Sequence, residues 1–289
     1  MDVELIADYA CRTGESPLWH PDERCVYWLD VPRGRIYRYD PASGAHGLAY
    51  ENAQEIVGGY TIQADGALAL MLPRGAVKAW RQGEMRTLIA EIPAERDTRL
   101  KDCLADPRGR VYVGTVSTPQ KPGRLYRLDP DGSSHLLLTD IRGSNGLGLT
   151  PDRTGLYYTD SATGTIYLFD YDEDTGQIAN QRAWVVVPPE EGVPDGMTVD
   201  AEGNVWSARW GGGCVVAYAP DGRELMRVEF PAKKVSCCIF GGHDYGDLYV
   251  TTAGGQNKEE EGPGAGALFR VRPGVRGLPE YRSRIGLDT

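Results

Sequence analysis

The chain has 289 residues, 41% apolar and 25% charged, ordinary proportions for a globular fold. Asp plus Glu (41) exceed Lys plus Arg (31), a formal charge of −10, so the surface repels phosphate backbones and nucleic acid is not an expected partner. No apolar run approaches the roughly 20 residues that cross a bilayer, and none follows an N-terminal basic stretch, so no membrane partner is expected and the cytoplasm is the expected compartment.

Glycine (37) and proline (19) are plentiful and tyrosine (16) outnumbers phenylalanine (4), a balance that frequent turns and half-exposed aromatic strands produce. In chain order, Glu4–Ala10 alternates like a strand but belongs to no repeat. The first repeat, SPLWHPDERCVYWLDVPRGRIYRYDPASG, reads as strands at Cys25–Asp30 and Arg35–Tyr39, with turns at Pro21-Asp22 and Arg33-Gly34. A degenerate second copy, YTIQADGALALMLPRGAVKAWRQGE, keeps an Asp65-Gly66 turn and two apolar strands. The third, LADPRGRVYVGTVSTPQKPGRLYRLDPDG, places strands at Val111–Thr115 and Arg124–Asp129. LGLTPDRTGLYYTDSATGTIYLFDYDEDTG and MTVDAEGNVWSARWGGGCVVAYAPDG are the fourth and fifth, and CIFGGHDYGDLYVTTAGG with Gly266–Val271 is the sixth.

Each unit has roughly 40–50 residues and about four short strands, the repeat of a propeller blade. No segment reads as an amphipathic helix of ten or more residues, which argues against a parallel α/β fold. The expected fold is therefore all-β, a six-bladed β-propeller forming one domain over residues 1–289, with Glu4–Ala10 completing the last sheet. The cysteines (Cys11, Cys25, Cys103, Cys214, Cys237, Cys238) are scattered without a CxxC pair and read as reduced, mostly buried thiols.

Three polar tripeptides share a register: Gly14-Glu15-Ser16, Ser144-Asn145-Gly146 and Pro194-Asp195-Gly196. Singly, Asn-Gly and Asp-Gly are ordinary turn signals. However, Glu15 lies seven positions before Asp22, Asn145 seven before Asp152, and Asp195 six before Ala201. Each tripeptide is expected just ahead of its blade's innermost strand, where the chain enters the central channel. Blades one, four and five would then aim Glu15, Asn145 and Asp195 at one axis. Two carboxylates and an amide form a hard-oxygen set suited to one divalent ion, Ca²⁺, Mg²⁺ or Mn²⁺ first, with Zn²⁺ or Fe²⁺ accepted. Three protein ligands leave positions open for water and substrate, as a hydrolytic centre in the channel requires.

GESPLW (Gly14–Trp19), RLKDCLADPRGRVYVGT (Arg99–Thr115), SNGLGLTPD (Ser144–Asp152), YYTDSATGTIYLFDYD (Tyr157–Asp172), PDGMTVDAEGNVW (Pro194–Trp206) and SCCIFGG (Ser236–Gly242) resemble the SMP-30/gluconolactonase/luciferin-regenerating family, which includes regucalcin. The resemblance implies a six-bladed propeller with metal ligands at Glu15, Asn145 and Asp195, and a sugar lactone as the small-molecule substrate. It also implies substrate contacts in the stretch Arg99-Leu100-Lys101-Asp102, where the family reads Arg-x-Asn-Asp. Arg99 and Asp102 match, whereas Lys101 replaces the asparagine. An acidic substrate contact beyond the Gly-Thr motif is also missing, since Val116-Ser117-Thr118 follows.

Lys101 has two readings: an ammonium that pairs with Asp102 or Glu55 and takes no part in binding, or one that meets a substrate carboxylate or lactone oxygen, as in an aldaric-acid lactone. The expected reaction is opening of an aldono- or aldarolactone by metal-activated water. Asp195 or Asp102 is the base and Arg99 orients hydroxyls or steadies developing charge. The alternatives are a phosphotriester or fluorophosphate hydrolase on the same ion, and a non-enzymatic calcium-binding regulatory propeller. A monomer or weak homodimer is expected.

Other polar residues carry less. His20 reads as a structural turn residue, and His46, His135 and His243 as residues of outer turns. Ser16, Ser144 and Ser161 lack a histidine partner, against a serine hydrolase. Lys258-Glu259-Glu260-Glu261 reads as a solvated surface loop.

Overall fold

In the computed structural model, which describes residues 1–287, the strands form six four-stranded antiparallel sheets; the last two positions of the expected 1–289 domain lie outside the described residues. Blade one runs outward through Gly14–His20, Cys25–Asp30, Arg35–Tyr39 and His46–Glu51. The innermost strands of blades two to six are Gly59–Ile62, Leu100–Ala105, Ser144–Leu149, Val193–Val199 and Val235–Gly241. Each innermost strand packs against its two neighbours, and the strand of blade six packs against that of blade one, so the ring closes. The fold is an all-β six-bladed propeller.

The N-terminal strand Glu4–Asp8 pairs with Ala267–Val271 and supplies the outermost strand of blade six, as expected. Arg270 Nη2 donates to Glu4 Oε2 at 2.6 Å across this seam. The closure joins opposite ends of the chain and leaves Ala267–Val271 paired on both sides, so the edge that it would otherwise present is covered.

Period-two alternation explains why the central strands are apolar on both faces. In Gly155–Asp160, Leu156 and Tyr158 pack towards blade three while Tyr157 packs towards blade five. Likewise Leu29 joins the core shared with blade two, and neighbouring Trp28 the core shared with blade six. Each fully buried side chain of this size contributes about 1.5–3 kcal/mol. The core therefore lies between blades and leaves the axis to polar groups.

The innermost strands break their ladders where the polar tripeptides fall. The register shifts between Glu15 and Leu18, Leu100 and Cys103, Ser144 and Leu147, and Pro194 and Met197. A bulge re-aims side chains and is common beside functional sites. The tripeptides thus begin the innermost strands rather than precede them. Their glycines serve close packing instead of turns: a Cβ on Gly146 would lie 2.7 Å from Asp195 O, and one on Gly196 2.3 Å from Cys237 Sγ.

Residues after Val271 form a strap that sequence reasoning did not assign. Gly277 N donates to Tyr245 O (2.9 Å) in blade six, Ser283 N to Ile62 O (2.8 Å) in blade two, and Arg284 N to Gly109 O (2.9 Å) in blade three. Leu278–Tyr281 line a cavity of about 110 Å³ together with Asp102, Cys103 and Cys237 of the innermost strands. All six cysteines are free thiols. Among the described residues no helix is long and apolar enough to cross a membrane; the one α-helix is Lys258–Glu261.

Candidate metal and substrate site

Glu15, Asn145 and Asp195, from blades one, four and five, line one cavity of about 290 Å³, and each is less than 8% exposed. Arg99, Lys101 and Asp102 of blade three line the same cavity, so every expected site residue meets there. Blade two contributes only Gly58. A Cβ at Gly58 would lie 2.0 Å from Leu100 O and 2.9 Å from Arg99 Nη1, so a side chain there would collide with blade three.

Orientation of the Asn145 amide follows from its bonds. Nδ2 donates to Ser161 Oγ at 2.6 Å, and Ser161 Oγ donates to Pro194 O at 2.6 Å. The oxygen Oδ1 is left facing the Lys101 ammonium, a group that can only donate. Ser161 has no histidine partner, in keeping with the sequence. Its role is to hold this amide, and its place one residue after Asp160 at the end of a strand gave no sign of it.

Lys101 differs from both of its expected pairings. Its Nζ donates to Asn145 Oδ1 at 2.6 Å and to Ser144 O at 2.8 Å. Glu55 pairs instead with Lys78 (3.2 Å), and no carboxylate lies within ion-pair distance of Lys101 among the described residues. The reason is reach: Lys101 sits on the innermost strand of blade three and extends to the neighbouring blade four, whereas Glu55 is held by Lys78 of blade two on the other side.

The three carboxylates are electrostatically uncomfortable as a group. Burial pushes the Glu15 carboxyl well above its ordinary range, and Asp195 and Asp102 push it further while Lys101 pulls it back. Burial raises Asp195 to about 7, opposed by Lys101 and reinforced by Asp102. Asp102 is also raised by burial, with Lys101 and Arg99 opposing. Burial lowers Arg99, whose side chain, among the described residues, makes one hydrogen bond, from Nη1 to Leu100 O at 3.3 Å, and has no carboxylate partner.

Such a site favours added positive charge. Among the described residues no three His, Cys, Asp or Glu side chains converge into a cage; the expected set is two carboxylates and an amide. The donor chemistry nevertheless fits a hard cation, because Asn145 Oδ1 already accepts from a cationic nitrogen, a stand-in for an ion at that oxygen.

Trp210 is a further wall of the cavity that sequence reasoning missed. Lys234 Nζ lies 5.4 Å from its ring centroid and pairs with Glu261, which is 9% exposed. Glu261 is therefore not part of a solvated loop: the short helix Lys258–Glu261 is tied at one end to Asp8 by Lys258 and at the other to the support of Trp210. An aromatic after Ser207-Ala208-Arg209 at a strand end was the available signal.

The histidines lie elsewhere. His20 is buried and shares a 3.1 Å hydrogen bond with Gly66 O, joining blades one and two. His46 and His135 lie on outer strands rather than in turns, and His243 is exposed in a turn.

Comparison with known proteins agrees with this architecture. The chain is 44% identical to the pentonolactonase XacC of Haloferax volcanii over 294 residues, covering 99% of this chain and 100% of that one. It is 35% identical to regucalcin of Danio rerio, covering 96% and 97%. A luciferin-regenerating enzyme structure superposes with a TM-score of 0.88 at 27% identity, covering 98% and 99%. Residues 13–254 match the family model described as SMP-30/Gluconolactonase/LRE-like region, and the chain belongs to that family.

Proposed function

We propose that this protein is a sugar lactonase, opening an aldono- or aldarolactone to the free acid with one divalent ion held by Glu15, Asn145 and Asp195. The observation that carries this reading is the meeting of those three side chains with an unpaired Arg99 and a buried Asp102 in one cavity. Kinship with the pentonolactonase supports the substrate class. When bound, the ion would supply Lewis-acid polarisation and lower the pKa of nearby water.

The residues supply the rest. With Asp195 engaged as a ligand, Asp102 is the carboxylate left to move a proton. It takes one from the attacking water and delivers it to the ring oxygen as the C–O bond breaks. Arg99, short of partners in the cavity, donates to substrate oxygens and steadies negative charge on the former carbonyl oxygen. Trp210 forms an apolar wall for the sugar ring, while Lys101 adds positive charge that favours an acidic lactone.

The deciding experiment is a lactone panel with Ca²⁺, Mg²⁺, Mn²⁺, Zn²⁺ and Fe²⁺ added singly to chelator-stripped protein. Ion-dependent turnover of a pentono- or hexonolactone is expected, with acidic lactones favoured by wild type over Lys101→Asn; an unchanged preference would remove Lys101 from substrate selection. Phosphotriesters in the same panel test the fluorophosphatase-like alternative. Kinship with regucalcin keeps a second reading, a non-enzymatic metal-binding regulator, which inactivity across the panel with the ion bound would favour.

A further inference from the structure

The bond between Lys101 and Asn145 reaches beyond substrate choice. Asn145 has two side-chain polar atoms, and Nδ2 is committed to Ser161. Oδ1 is therefore the amide's only atom able to ligate a cation, and it accepts from Lys101 Nζ at 2.6 Å. Ser144 O holds the same ammonium at 2.8 Å. A calcium-like ion would sit about 2.3–2.6 Å from that oxygen. An ammonium and a dication sharing one amide oxygen would lie within about 5 Å of each other, where their repulsion is strong in a buried site.

We propose that Lys101 is a tethered competitor of the divalent ion: it occupies Asn145 Oδ1 in the metal-free protein and must leave that bond for the ion to bind. Its ammonium, together with the Arg99 guanidinium, is the internal counter-charge of a site carrying Glu15, Asp102 and Asp195, all buried and none within ion-pair distance of a cation among the described residues. Loading exchanges one cation for another at the same oxygen. The displaced ammonium stays on its four-carbon stem within the cavity, which has about 290 Å³ to receive it. There it meets substrate with a charge that the family's asparagine does not carry. The inference rests on Glu15, Asn145 and Asp195 being the ligands.

The test is isothermal titration calorimetry of Ca²⁺, Mn²⁺ and Zn²⁺ chlorides into chelator-stripped full-length protein. Wild type, Lys101→Met, Lys101→Asn and Asn145→Ala are compared, with circular dichroism checking each fold. Removal of the competitor should tighten binding of at least one ion about tenfold or more in both Lys101 variants. The melting temperature of metal-free Lys101→Met should fall, and its rise on adding the ion should exceed that of wild type. Equal or weaker affinity in both variants, with wild type binding the ion and Asn145→Ala not, would overturn the competition and leave the ligand set standing. Full binding by Asn145→Ala would overturn the ligand set and the competition with it.

Discussion

Asn145 Nδ2 donates to Ser161 Oγ at 2.6 Å, and that bond decides which end of the amide looks into the channel. Because Ser161 in turn donates to Pro194 O, a residue of blade four is oriented by the strand that carries Asp195 in blade five. Two expected ligands are thus coupled through a serine.

Loss of that hydroxyl should loosen the ligand without removing it. Ser161→Ala is expected to weaken divalent-ion affinity about 10- to 100-fold, the usual cost of removing a group that orients a ligand. Calorimetry checks this, and an affinity equal to wild type would show that Asn145 needs no such support.

Asp195 and Asp102 should separate when each is changed to asparagine. Asp195→Asn is expected to lose metal and activity together. Asp102→Asn should still bind the ion while kcat falls roughly 10²–10⁴-fold, the scale of a lost proton-transfer group. The comparison needs only calorimetry and initial rates; full activity in Asp195→Asn would refute the site.

Trp210 is held from behind by Lys234 and Glu261, so the support can be removed without touching the cavity wall. Lys234→Met is expected to raise KM about two- to fivefold with kcat little changed, the size of one exposed cation–π contact. A fall in kcat at constant KM would place Trp210 in the chemistry instead of in substrate binding.

Glu280 lines the strap cavity, and burial raises its carboxyl to about 7. Its ordinary value is 4.5, so the folded protein binds this proton more tightly than the unfolded chain. The associated stability is present in full below about 4.5 and is lost as pH rises through about 7. Thermal melts between pH 5 and 8 should show a decline that Glu280→Gln reduces, leaving the share of Asp195, which burial also raises to about 7, with the variant more stable than wild type at pH 8.

Much of the blade pattern was legible because its causes are local. Cys25–Asp30 and Arg35–Tyr39 are strands over the expected residues, since short apolar and aromatic runs separated by a Gly34 turn are local signals that need no distant partner. The bulge at each tripeptide was less legible: Asn145-Gly146 and Asp195-Gly196 look like turns, and only the approach of a neighbouring strand shows why glycine is required.

The sequence by itself determined the number of blades, the spare N-terminal strand and the shared register of Glu15, Asn145 and Asp195, because each is a matter of spacing along the chain. Tertiary structure alone decided that Lys101 reaches Asn145, 44 positions away, instead of Glu55. It likewise assigned Ser161, Trp210 and Glu261 their supporting places and tied the C-terminal strap to blades six, two and three. The physical reason is common to all: these contacts cross from blade to blade, and which side chains meet there depends on how the ring closes.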